Sequence, residues 1–199
     1  MNTSTIAQVL PLSRWREIVW PREHGSWSLA LEPLVLGMLI APSMPGAWLS
    51  LSVLAGFFAR RPLKIAVTDA KPERRNAARR WFVVCGIVAV VAFGACLIQG
   101  GLAWLGWLLP IAGAGAIFLF FDLRGDGREE LAEVAGCAAF ACVPAAIAAL
   151  AGWRVPAAAA LALVMVGRSV PTVLSVRALL REQKTGRRQN LPALVTSGI

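Results

Sequence analysis

Long apolar runs broken by polar interruptions organise this chain. Six runs stand out, at about 25–41, 44–59, 81–98, 102–121, 131–151 and 155–176. Each approaches the ~20 residues that a helix needs to cross the hydrocarbon core of a bilayer. The interruptions alternate in character. Those at 42–45, 99–101 and 152–154 are short and nearly uncharged, whereas 1–24, 60–80, 122–130 and 177–199 are long or charged. The pattern predicts an all-α fold, a polytopic transmembrane helical bundle of about six spans. It divides the chain into a cytoplasmic N-terminal segment (1–24), a membrane domain (25–176) and a basic cytoplasmic tail (177–199).

Composition agrees with the pattern. The 199 residues are 57% hydrophobic and only 16% charged, against about a quarter charged in an ordinary soluble domain. The formal net charge of +9 would suggest nucleic acid in a soluble protein, but no basic face is interleaved with aromatics here, and the placement of the charge reads as topology. All lysines and arginines except Arg154 and Arg168 fall in the long or charged interruptions. Basic residues collect on the cytoplasmic side, so both termini are expected in the cytoplasm, with a secondary attraction to anionic lipid heads. No basic segment followed by an apolar run marks a cleaved signal peptide before residue 16. Cys85, Cys96, Cys137 and Cys142 lie inside apolar runs and read as small packing residues. Several tryptophans, Trp104 and Trp153 among them, sit at run edges, as an interfacial belt would.

Few ionisable residues enter the apolar runs, and they carry the candidate chemistry. His24, the only histidine, is spaced by four from Ser28 and again from Glu32, so the three share one helical face. Arg168 lies in the last run. Helix rise places Glu32 about 12 Å below His24 and Arg168 about 14 Å below Arg177, at similar depth, and the two are expected to face one cavity and to pair. Charged groups at such depth are costly and mark functional positions. Pro33, Pro110, Pro144 and Pro171 interrupt the runs and can open a cavity or merely bend helices. Arg60, Arg61, Lys64 and Asp69 emerge directly from the second run, and cations at that density suit phosphate or diphosphate, or form a solvated cytoplasmic loop that only fixes topology. The fourth interruption places Asp122 and Asp126 four apart in a glycine-bent loop, with Glu133 following. Such carboxylates could offer oxygen ligands to Mg²⁺, or form a solvated turn. No nucleophile elbow, phosphate-binding loop, dinucleotide fingerprint or zinc spacing is present.

The segment Pro21-Arg22-Glu23-His24-Gly25-Ser26-Trp27, followed by Glu32-Pro33 and Gly37, resembles the opening signature of the YwiC-like family of bacterial integral membrane proteins. The likeness continues at Arg61-Pro62-Leu63-Lys64 with Asp69, at Arg128 with Glu133 and Gly136, and at Arg168-Ser169-Val170-Pro171-Thr172 with Arg177. A looser likeness joins it to the UbiA-type intramembrane prenyltransferases, which place basic and acidic motifs around a lateral, lipid-accessible cavity. The chain departs from those enzymes in having Arg-Pro-Leu-Lys and a single Asp69 where they carry an aspartate-rich motif, and in having fewer helices.

The resemblance implies a bacterial inner-membrane protein with a cytoplasm-facing polar site for a phosphate-bearing lipid or prenyl diphosphate, and transferase chemistry on it. In that reading Arg22, Arg61, Lys64, Asp69, Arg168 and Arg177 bind the substrate. His24 or Glu32 serves as acid or base, and Asp122, Asp126 and Glu133 hold Mg²⁺. The alternative is a non-enzymatic membrane protein, a small transporter or an assembly factor, whose buried charges order helices.

Overall fold

The computed structural model describes residues 24–102, 104–127 and 129–185, together with Ile18. Among them all regular structure is helical. Helix α1 runs His24–Ile40, α2 Met44–Thr68 and α3 Pro72–Gly100. A 3₁₀ turn, Leu105–Trp107, leads into α4, Leu108–Arg124. Helices α5, Glu130–Ala141, and α6, Val143–Leu150, follow one another almost without a break, and α7 runs Val155–Thr185. Four stretches are long and apolar enough to cross a membrane: Pro72–Gly100, Leu105–Arg124, Glu130–Leu150 and Val155–Leu179. The first apolar run appears as a shorter apolar stretch, Leu29–Ile40.

Local chemistry sets the boundaries. Ser43 caps α2 by accepting a hydrogen bond from the Gly46 amide at 3.2 Å, satisfying one of the amides that a helix start leaves free. Asp69 closes the other end of α2, its carboxylate accepting from the Lys71 amide at 2.9 Å. Pro72 then opens α3, where its missing N–H costs nothing. At the end of α4, Gly125 adopts φ +91°. Its amide bonds the Asp122 carbonyl, and the Asp126 amide bonds the Phe121 carbonyl. This is a Schellman closure, which needs a left-handed residue that glycine supplies without strain. Of the four interior prolines, Pro33 and Pro171 lie within α1 and α7. Pro110 falls in the first turn of α4. Pro144 marks the junction of α5 and α6, because it cannot donate a helical hydrogen bond.

Helix α2 passes well beyond the apolar run that ends near residue 59, carrying Arg60, Arg61 and Lys64 as helical residues. The charged interruption expected over 60–80 is therefore a tight corner at 69–71 between two helices. Arginine, lysine, leucine and alanine are good helix formers, and the helix continues through the buried Pro62 before it ends at Asp69.

Helix α6 occupies the centre. Its residues Val143 to Ala148 are all buried, and α1, α2, α7 and the 3₁₀ turn pack around it. Small side chains permit this. A β-carbon on Gly37 would lie 2.8 Å from Ile147 Cδ1 and 3.2 Å from Pro144 Cα, so only glycine lets α1 approach α6 this closely. Helices α2 and α3 form an antiparallel hairpin packed along their lengths. Outward faces of α3 and α4 expose Val83, Ile87, Val91, Leu109, Ile117 and Phe120, a surface suited to lipid rather than water.

The two ends of the bundle differ. Gly100 lies against Leu150, Pro45 and Trp104, so the three nearly uncharged connections converge at one end. Trp104 is buried there rather than interfacial. Its indole N–H donates to the Gly101 carbonyl at 3.0 Å and its ring meets Phe93 edge-on at 5.9 Å. Trp153 remains exposed. The charged helix ends gather at the other end.

Candidate functional site

The most enclosed polar group in the described structure is Asp122, near the end of α4, with a side chain only 2% exposed. A buried carboxylate requires compensation by charge and hydrogen bonds. Arg60 Nε donates to Oδ2 at 2.9 Å and Lys64 Nζ to Oδ1 at 2.9 Å. Arg60 and Lys64 are four apart on α2 and so share one face. The Arg60 guanidinium also lies over the Phe118 ring, 4.6 Å from its centroid, a cation–π contact that fixes its plane. From the other side the loop presses in: a β-carbon on Gly127 would stand 2.6 Å from Asp122 Oδ1.

The arrangement leaves a surplus of positive charge and of donors. Two cations share one carboxylate, with Arg61 beside them in sequence. Arg60 and Lys64 are 26% and 37% exposed, so the cations reach solvent while their counter-ion does not. Asp122 thus orients two cations at the charged end of the bundle, Arg60 adding a longer second bond from Nη2 to Oδ1 at 3.5 Å.

The other charged candidates are tied between helices. Arg168 on α7 pairs with Glu32 on α1, as their matched depths led us to expect. Arg177 Nη1 lies 2.6 Å from Glu133 Oε2, and Arg181 Nη2 lies 3.0 Å from Glu130 Oε2, joining α7 to the start of α5. Asp69 pairs with Arg74 at 3.1 Å in addition to its turn bond, which makes it a builder of the α2–α3 corner. Arg22 and Arg128 lie outside the described residues, as does the side chain of His24, although His24 begins α1.

The structure therefore regroups the expected residues. Lys64 joins Asp122, a residue the sequence groups with metal ligands, and Arg60 becomes a central member. Asp126 is exposed on its turn, and Glu133 faces Arg177. Among the described residues no three His, Cys, Asp or Glu side chains form a metal-holding group, so Asp122, Asp126 and Glu133 do not assemble into one. Two signals in the sequence point to the observed cluster: the four-residue spacing of Arg60 and Lys64, and an aspartate ending an apolar run, which demands a counter-ion.

The model of the family described as YwiC-like protein matches residues 20–148, well over half of the chain. The chain belongs to the YwiC-like family. The matched region carries α1 to α5 and nearly all of α6, hence Arg60, Lys64, Asp122 and Glu32, while α7 with Arg168 and Arg177 lies beyond it. Apolar helices and membership of the YwiC-like family together fit a membrane protein. Neither the curated proteins nor the solved structures give a match.

Proposed function

We propose that this YwiC-like chain is a multi-pass protein of the bacterial inner membrane, with both termini cytoplasmic, that binds a phosphate-bearing lipid or prenyl diphosphate at its basic end. The observation that carries the reading is the pair of cations, Arg60 and Lys64, held by one enclosed carboxylate. A phosphate placed beside them gains charge-assisted hydrogen bonds without having to organise the cations first, because Asp122 has already ordered them. Among the described basic residues all but Arg154 and Arg168 belong to the charged interruptions of the sequence, which supports the cytoplasmic orientation. Mg²⁺ would enter with the phosphates rather than in a protein-built cage, since Asp122 is committed to Arg60 and Lys64. Transfer of a prenyl group to an acceptor, as in UbiA-type enzymes, is the chemistry that this reading extends to, with His24 or Glu32 moving a proton.

A second reading has its own observation. Glu32, Asp122, Glu130 and Glu133 are each tied to a cation on a different helix, which is what an assembly factor or small transporter using charges to order helices would show. Incubating the purified protein with labelled prenyl diphosphate and membrane lipid, with and without Mg²⁺, separates the two. Retained label that falls on Arg60→Gln/Lys64→Gln substitution supports the lipid site, and a labelled lipid product supports transfer. A folded protein that neither retains nor converts the label contradicts both statements and leaves the ordering role.

A further inference from the structure

The Glu32–Arg168 pair occupies a different place from the Arg60 and Lys64 rim. Helices α1 and α7 both rest on α5 or α6 and have little direct contact with each other, so the pair bridges a cleft whose floor is α5–α6. That floor is tight. Met165 of α7 is buried, and Cys137 of α5 donates its S–H to the Ser169 carbonyl of α7. Despite their mutual bond, the Glu32 and Arg168 side chains remain 43% and 60% exposed. Helix rise puts them about 12–14 Å from the charged end, within the bilayer interior, where lipid-facing ions are costly.

The chemistry of the cleft specifies what would relieve that cost. The pair carries no net charge. An anion brought to Arg168 meets the Glu32 carboxylate, and a cation brought to Glu32 meets the guanidinium. A neutral group that both donates and accepts can bond to the two together, since the guanidinium offers five N–H groups and the carboxylate four lone-pair sites. One turn toward the uncharged end both walls turn apolar, with Val35 on α1 and Val164 on α7 exposed. One turn toward the charged end the α7 wall carries Thr172, whose hydroxyl donates to the Arg168 carbonyl at 2.7 Å and keeps its lone pairs free. Polar atoms thus occupy one level of the cleft and aliphatic atoms the next.

We propose that this cleft binds the uncharged polar head of a membrane lipid, a hydroxyl or carbonyl group, with the apolar tail lying along Val35 and Val164. The site lies apart from the Arg60 and Lys64 rim and shares only Glu32 with the proposed function, so its failure leaves phosphate binding at the rim untouched.

The test uses the full chain in lipid nanodiscs with two photoreactive probes that share one long diazirine-bearing chain, one ending in an alcohol and the other in a phosphate monoester. After irradiation, peptides are mapped. The alcohol is expected to label segments 29–40 and 160–172, and the phosphate to label them weakly. Glu32→Leu/Arg168→Leu, an apolar replacement that folding tolerates, should lower alcohol labelling by about tenfold. Glu32→Gln/Arg168→Gln keeps donors and acceptors and should stay within about threefold of the wild type. Size-exclusion elution and thermal unfolding confirm that each variant is folded. Absent or equal labelling of these segments by the two probes, or alcohol labelling that survives the leucine pair, overturns the proposal. Cross-links between copies through α1 and α7 overturn it in favour of a dimer.

Discussion

Arg60 Nε stands 2.9 Å from Oδ2 of Asp122, joining the charged C-terminal part of α2 to the end of α4. Helices α2 and α4 share only a small interface elsewhere, so this bond and the parallel one from Lys64 set how the two charged ends meet. It also explains why an aspartate can end an apolar helix without facing water.

Replacing Asp122 should therefore be costly. Asp122→Ala is expected to destabilise the protein by about 2–4 kcal/mol, since it leaves two partly buried cations without their counter-ion. Thermal unfolding in a fixed detergent measures it. The double variant Asp122→Asn/Lys64→Met should lose less than the two single losses added together, because the residues act as one network.

Gly127 should tolerate no side chain. Alanine would place its β-carbon 2.6 Å from Asp122 Oδ1, and either the carboxylate or the 125–127 turn must move. We expect a loss of about 1–3 kcal/mol, together with weaker phosphate binding as Arg60 and Lys64 lose their fixed partner. Gly125→Ala should also destabilise, through its φ of +91° rather than through a clash. Comparing phosphate binding by the two variants distinguishes the mechanisms, since only Gly127→Ala touches the carboxylate.

The Arg177–Glu133 pair is half-buried and spans α7 and α5. Either single charge reversal should cost about 1–2 kcal/mol, discounted for solvent access. The swapped double variant Glu133→Arg/Arg177→Glu should recover most of it. Failure of the swap to recover stability would show that these residues act other than as partners.

At the core, Gly37→Ala drives a methyl into Ile147 Cδ1 and the Pro144 backbone. A loss of about 1–3 kcal/mol is expected. Ile147→Val removes the nearer obstacle, so the double variant should lose less than the sum of the singles, while the 3.2 Å approach to the proline backbone keeps the rescue partial. Unfolding curves of the four proteins decide this.

Much of the helical layout was legible because membrane helices need unbroken apolar length, and the alternation of charged and uncharged connections reappears as the two unlike ends of the bundle. The Glu32–Arg168 pair was legible for the same reason: two charges inside apolar runs at equal depth have few other partners. Three features were hidden. Helix α2 outlasts its apolar run because hydropathy reports where lipid ends, not where backbone bonding ends. Trp104 is buried because the uncharged connections converge, and run edges do not reveal that convergence. Asp122 was read with Asp126 because they are close in sequence, whereas its partners lie 62 and 58 positions away, a pairing that exists only once α2 and α4 are side by side.

The most direct test of the lipid site is native mass spectrometry of the protein released from its own membrane. The wild type should retain a phosphate-bearing lipid, and Arg60→Gln/Lys64→Gln should lose it while Glu133→Arg/Arg177→Glu keeps it. A wild-type protein that retains no such lipid, or a double-glutamine variant that retains it undiminished, would contradict a phosphate site at Arg60 and Lys64.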